Sequence, residues 1–106
     1  MATGATLDVL ADSRRRRILD LLRDGEQPVG ALVAELSISQ PAVSRHLRVL
    51  REAGLVTVRP DAQRRLYRLR PDPLAELDAW LAPYRALWGH HLDALSTHLE
   101  GKVGGD

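Results

Sequence analysis

The chain has 106 residues, enough for one modest hydrophobic core and not for two. Its 44% hydrophobic and 27% charged residues describe a globular protein rather than a disordered one, and the absence of cysteine excludes disulfides, thiolate metal sites and thiol redox sensing. The net charge of +1 conceals an asymmetry: residues 45–70 hold eight arginines against Glu52 and Asp61, a net of +6, whereas residues 71–106 carry Arg85 and Lys102 against six acids, a net of −4.

A contiguous basic region beside an acidic one predicts an anionic partner for the first. The opening "MATGATLDVLADS" lacks a charged segment followed by an apolar run, so it does not read as a secretory signal. No apolar run approaches membrane-spanning length, and a cytoplasmic protein without a membrane partner is expected.

In chain order, "LDVLADS" predicts a short helix with Leu7, Leu10 and Ala11 on one side. "RRRRILDLLRDG" predicts a second, with Ile18, Leu19, Leu21 and Leu22 apolar and Gly25 as the stop. The run Arg14–Arg17 is unusual at a helix start, where the dipole favours acids. It reads either as pairing with Asp8, Asp12 and Asp20, Arg16 and Asp20 being one turn apart, or as phosphate contact. Pro28 opens a third helix with Val29, Leu32, Val33 and Leu36 at helical spacing. "SIS" then breaks it, with Ile38 plugging the angle between two helices.

Ser39 is the expected N-cap of the next helix, Pro41 fits its first turn, and Gly54 ends it. On a helical wheel, Val43, Leu47 and Leu50 fall together, with His46 and Ala53 on their shoulder. Pro41, Ser44, Arg45, Arg48 and Glu52 lie opposite, with Gln40 and Arg51 at the edge. That outward set suits the major groove of DNA, where arginine matches guanine O6 and N7 and glutamine matches adenine. Gln40, Ser44 and Arg45 are assigned to base edges, Arg51 to phosphate and Arg48 to both, with Pro41 shaping the helix start beside a thymine methyl. His46 reads as a packed histidine rather than a metal ligand or pH sensor.

Two strands, about 55–59 and 65–70, flank the turn signal "PDAQ" and form a basic hairpin. Arg59, Arg64 and Arg65 are expected to grip phosphates or enter a narrow minor groove. Leu66, Tyr67 and Leu69 pack the hairpin onto the helices, and Arg68 and Arg70 read as solvated. Asp72 and Pro73 open helical sequence lasting to about Leu99, with a kink or break at Pro83 and "GKVGGD" as a frayed tail.

Leu77, Leu81, Tyr84, Trp88, Leu92, Leu95 and Leu99 follow a repeat near 3.5, the pattern of a helix packing on another helix, and Trp80, Leu87 and His91 widen it. Together with Leu7 they are assigned to a homodimer interface anchored by Trp80 and Trp88. No internal repeat, Gly-rich phosphate loop or Ser/His/Asp arrangement is present, so neither an enzyme nor a cofactor is expected.

These elements make a mainly α chain with a small β-hairpin, one winged helix-turn-helix domain over residues 1–106. Its helix-turn-helix covers about 28–53, its wing about 55–70 and its C-terminal dimerisation helices about 72–100. Through "LADSRRRRILDLLRDGE", "VGALVAELSISQPAVSRHLRVLREAGLV" and "RRLYRL", residues 5–100 resemble the ArsR/SmtB-type bacterial repressors. The resemblance implies a homodimer joined by its first and last helices, with the helix of "QPAVSRHL" in the major groove of double-stranded DNA. It also implies release of DNA when an inducer, often a metal ion, binds.

The chain departs from the metal-sensing members of that family. It lacks their cysteines, and His90, His91, Asp93 and His98 do not reproduce the usual zinc-site spacing. No metal site is assigned; His91 and His98, seven residues apart, are the remaining candidates for the alternative of a zinc-type repressor. A small-molecule effector is left without identity. A further alternative is a winged-helix module whose basic face docks an acidic protein. The preferred reading is a repressor on a palindrome-like operator with half-sites about 10 bp, or a multiple, apart.

Overall fold

The computed structural model describes the backbone of residues 2–104 and the side chains of residues 3–89. Among the described residues, five helices and three strands follow one another: α1 (Ala2–Leu10), α2 (Ser13–Leu22), β1 (Gln27–Pro28), α3 (Val29–Leu36), α4 (Gln40–Glu52), β2 (Val56–Asp61), β3 (Arg64–Leu69) and α5 (Asp72–Gly104). The strands form an antiparallel sheet in the order β1-β3-β2. The fold is a winged helix-turn-helix, with α3 and α4 as the helical pair and β2–β3 as the wing.

One apolar cluster holds the elements together. Ile18 and Leu22 from α2, Leu32 from α3, Val43, Leu47 and Leu50 from α4, and Leu55 just beyond it are each at most 2% exposed. Val56 and Tyr67 extend the cluster into the sheet. The helices α2, α3 and α4 therefore each bury one face against the same centre, as the spacing of their apolar residues predicts.

The helix ends follow local chemistry. Asp12, extended at φ −85°, caps α2 by accepting from the backbone N–H of Arg14 at 2.8 Å and of Arg15 at 3.4 Å. Burial raises the Asp12 carboxyl, but these two hydrogen bonds and the nearby His46 and Arg15 outweigh it and hold the group below its ordinary value of 3.8. A lowered carboxylate contributes stability above that value and loses it as pH falls through the folded value. Asp12→Ala is accordingly expected to cost about 1 kcal/mol at pH 7. The deficit should shrink at pH 3, as read by urea unfolding at both pH values.

Three arginines of the run, Arg15, Arg16 and Arg17, are engaged within the fold, and more variedly than simple pairing suggests. Arg15 meets Asp12 at 3.7 Å and Arg17 meets Glu35 of α3 at 3.9 Å. Arg16 turns away from Asp20 to donate to the carbonyls of Leu10 (2.6 Å) and Ala11 (3.2 Å), satisfying the open end of α1.

Several boundaries differ from the sequence expectation. The first helix spans Ala2–Leu10 rather than ending in "ADS", because Asp12 leaves it to cap α2. Its buried residues are Thr6 and Val9, whereas Leu7 is 44% exposed. The strand β1, too short to register as a pattern, adds Gln27 and Pro28 opposite Tyr67 and Leu66.

The hairpin turn is the pair Ala62-Gln63, so Pro60 and Asp61 belong to β2. Ala62 takes the positive φ (58°) that a two-residue hairpin demands and that glycine usually supplies. Pro60 is tolerated because β2 is an edge strand. Last, α5 is one helix through Pro83 rather than two. Ala79, whose carbonyl loses its partner to the proline ring, lies exposed to water.

Candidate nucleic-acid interface

The start of α4 is built by three adjacent residues. Ser39, extended at φ −66°, accepts from the backbone N–H of Ala42 at 3.3 Å, while Pro41, with no N–H to satisfy, fits the first turn, where backbone N–H groups have no intrahelical acceptor. Before it, Ser37 closes α3 in the left-handed region (φ 56°), and Ile38 packs beside the core in the angle between the helices. That turn aims the first residues of α4 outward.

Along α4 the two sides separate cleanly. Val43, Leu47 and Leu50 are at most 1% exposed. Gln40, Pro41, Ser44, Arg45, Arg48 and Arg51 are exposed, and His46 and Ala53 are half-buried between the two sets. Gly54, at φ 77°, turns the chain back so that Leu55 and Val56 enter the core and β2 begins.

The sheet completes the surface. Arg65 and Tyr67 from β3 line an open cleft with Pro41, Ser44, Arg45, Arg48 and Arg51 of α4. A second depression continues from it, where Gln40 and Ser44 meet Gln63, Arg64 and Arg65 beside Pro28, Val29 and Gly30. The sequence pattern does not single out Gln63; its place beside Arg64 in a turn is the available signal.

Electrostatics divide the arginines into two groups. Arg64 pairs with Asp61 at 3.2 Å and Arg70 with Asp72 at 3.2 Å. Arg59 is held by Glu26 in a two-pronged fork, Nε to Oε2 at 2.7 Å and Nη2 to Oε1 at 2.9 Å. Arg59 is therefore engaged within the chain rather than presented with the cleft. Among the described residues, Arg45, Arg48, Arg51 and Arg65 have no acidic partner, and all four line the same cleft. Like charges gathered this way raise the local positive potential and favour an anion spanning them.

The residues assigned to self-association are only partly described. Leu77 and Leu81 are half-buried, while Leu7, Trp80, Tyr84 and Trp88 are between 44% and 51% exposed. Leu92, Leu95 and Leu99, together with the candidate ligands His91 and His98, lie outside the described side chains. Among the described residues no group of three or more His, Cys, Asp or Glu is placed to hold a metal ion, and no helix is long and apolar enough to cross a membrane.

Residues 12–58 match the family model described as bacterial regulatory protein, arsR family, which takes in α2, α3, α4 and the start of the wing. The HTH-type transcriptional regulator Rv2034 of Mycobacterium tuberculosis is 47% identical over 83 residues, 76% of this chain and 78% of that protein. The biofilm growth-associated repressor of Agrobacterium fabrum is 45% identical over 71 residues, 67% of this chain and 61% of that protein. Among solved structures, an ArsR-like transcriptional regulator from Rhodococcus sp. RHA1 superposes with a TM-score of 0.71 at 26% identity, covering 91% of each chain. A winged helix-turn-helix whose recognition helix and wing frame one basic cleft, with relatives of this kind, is a DNA-binding transcriptional regulator and not an enzyme: the chain belongs to the arsR family of bacterial regulatory proteins.

Proposed function

We propose that the protein is a homodimeric cytoplasmic repressor that binds a palindrome-like operator in double-stranded DNA. The cleft of four arginines without acidic partners carries this reading. α4 lies in the major groove, with Gln40, Ser44 and Arg45 at base edges, Arg48 shared between bases and phosphates and Arg51 at phosphate. Ser39 fixes the helix start, and Pro41 sets its approach. Arg65 and Arg64 of the wing take phosphates, Arg64 exchanging Asp61 for one. Repression is supported by the Agrobacterium relative, which is a repressor.

Self-association is supported by the apolar stripe of α5. Trp80, Tyr84, Leu87 and Trp88 recur at one helical face and remain about half or more exposed, and Leu7 of the adjoining α1 adds to them. A two-fold axis relating two α4 helices then requires half-sites about 10 bp, or a multiple, apart.

Gel-shift titration of genomic fragments, followed by two substitutions, tests the interface. Arg45→Ala is expected to weaken the preferred fragment by about 1–3 kcal/mol and relax the choice at one base position. Arg65→Ala is expected to weaken preferred and random DNA alike and to flatten the slope of log affinity against log salt by about 0.9. Equal loss on both DNAs for Arg45→Ala would remove its base-reading role. Transcription in vitro that rises on adding the protein would overturn repression while leaving the interface intact.

A further inference from the structure

The Glu26–Arg59 fork joins residues 33 positions apart, and its place in the sheet gives it leverage over the wing. Strand order is β1-β3-β2, so β3 lies in the middle. Glu26 immediately precedes β1 on one side, and Arg59 belongs to β2 on the other. The fork therefore crosses β3 and ties the two outer strands together. Backbone pairing alone attaches the wing to this edge weakly, because β1 contributes only Gln27 and Pro28 to the ladder.

Register separates Arg59 from the cleft. Arg59 stands opposite Leu66 and Arg65 opposite Pro60, so Arg59 and Arg65 project from opposite faces of the hairpin. Arg65 lines the cleft with α4, whereas Arg59 shares its face with Arg68 and reaches Glu26. A planar guanidinium against a carboxylate is the geometry arginine supplies and lysine does not.

We infer that Glu26 and Arg59 form a clamp that sets the angle of the wing against α4, making Arg59 a positioning residue rather than a phosphate contact. The inference deepens the proposed DNA-binding reading and rests on it only for its consequence for affinity. The Arg59 hydrogen bond and charge, with Arg68 nearby, hold the Glu26 carboxyl below its ordinary value against a smaller opposing effect of burial. Asp61 also faces Arg59 and favours its charged form. The clamp stays ionised throughout the neutral range.

The test uses Glu26→Gln, Arg59→Met, Arg59→Lys and the Glu26→Gln/Arg59→Met double variant of the whole chain. Amide exchange in the free protein is measured first. Each variant should speed exchange over residues 57–61 and 64–68 and leave α4 as in the parent. Parental exchange of the wing in all of them overturns the clamp without any reference to DNA.

Affinity for the preferred fragment is then read at 50 and 200 mM salt. Each single variant should weaken binding roughly two- to five-fold, the double variant no further, with the salt slope unchanged. Arg59→Lys keeps the charge but not the fork and should follow Arg59→Met. Tighter binding by Glu26→Gln, with a slope flattened by about 0.9 in Arg59→Met and kept in Arg59→Lys, would overturn the inference and return Arg59 to the phosphate contacts. An unaltered slope for Arg65→Ala would strike the DNA-facing assignment of the cleft instead, and the clamp would still be decided by exchange.

Discussion

Leu50→Ala is expected to lower the free energy of unfolding by about 2–5 kcal/mol, the range for removing a buried leucine side chain and leaving a cavity. Leu50 is 0% exposed, on the inner side of α4, and its carbonyl accepts from the N–H of Leu55 at 2.9 Å, where the chain leaves the helix for the wing. The void would open where α2, α4 and the sheet meet. Domains of this size are stabilised by about 5–15 kcal/mol in total, so the loss is a large fraction and should be visible as a shifted urea midpoint with an unchanged slope.

Arg48→Ala, two residues away and exposed, is the control. It should move the midpoint by no more than about 0.5 kcal/mol while weakening DNA binding. Both proteins are compared at one concentration, because the proposed self-association would add to apparent stability. Near-parental stability for Leu50→Ala would mean that the apolar side of α4 does not anchor the helix.

The division of α4 into an inner and an outer side is legible in its sequence because aliphatic residues recur on one side while polar and charged residues, with Pro41, occupy the other. The caps were legible for a related reason. Ser39, Asp12 and Gly54 act within one turn of their own position, and local chemistry of that range leaves a mark in the sequence. Ser39 and Gly54 carry that mark, whereas the sequence around Asp12 points only to a partner for the arginines.

What escaped was either short or distant. β1 has two residues and no period to detect. The hairpin turn fell at Ala62-Gln63 although Pro60 and Asp61 are the stronger turn formers, because pairing with β3 as far as Arg64 outweighed their local preference. Pro83 was overruled by its setting on an exposed stretch of helix, where water can satisfy the carbonyl it orphans. The deployment of arginines was the least legible feature. A net charge of +6 over residues 45–70 says nothing about which guanidiniums are already spoken for, and Glu26, which claims Arg59, lies outside that window.

Trp80→Ala is expected to weaken self-association by about 2 kcal/mol or more, which is roughly thirty-fold in dissociation constant. The 33 residues of α5 extend about 50 Å at 1.5 Å per residue, far more than the body of the protein can cover. The chain accordingly reaches a radius of gyration of 18.6 Å, against about 13 Å for a compact domain of this length. Trp80 and Tyr84 sit one turn apart with ring centroids 5.2 Å from each other, a preformed aromatic pair 48% and 47% exposed. Such a pair costs little further ordering when it meets a partner, which is the property of an anchor. Alanine at position 80 removes the larger ring and leaves the buried core untouched, so the far-ultraviolet circular dichroism and the urea slope should stay parental. Dilution followed by sedimentation should show the variant dissociating at about thirty times the parental concentration. Binding to a two-site fragment should fall in step, because one protomer alone grips a single half-site, while the affinity for an isolated half-site should not change. An unaltered dissociation constant, or a parental protein that is monomeric at every concentration, would assign the aromatic stripe to some other contact and deprive the two α4 helices of their fixed spacing on DNA.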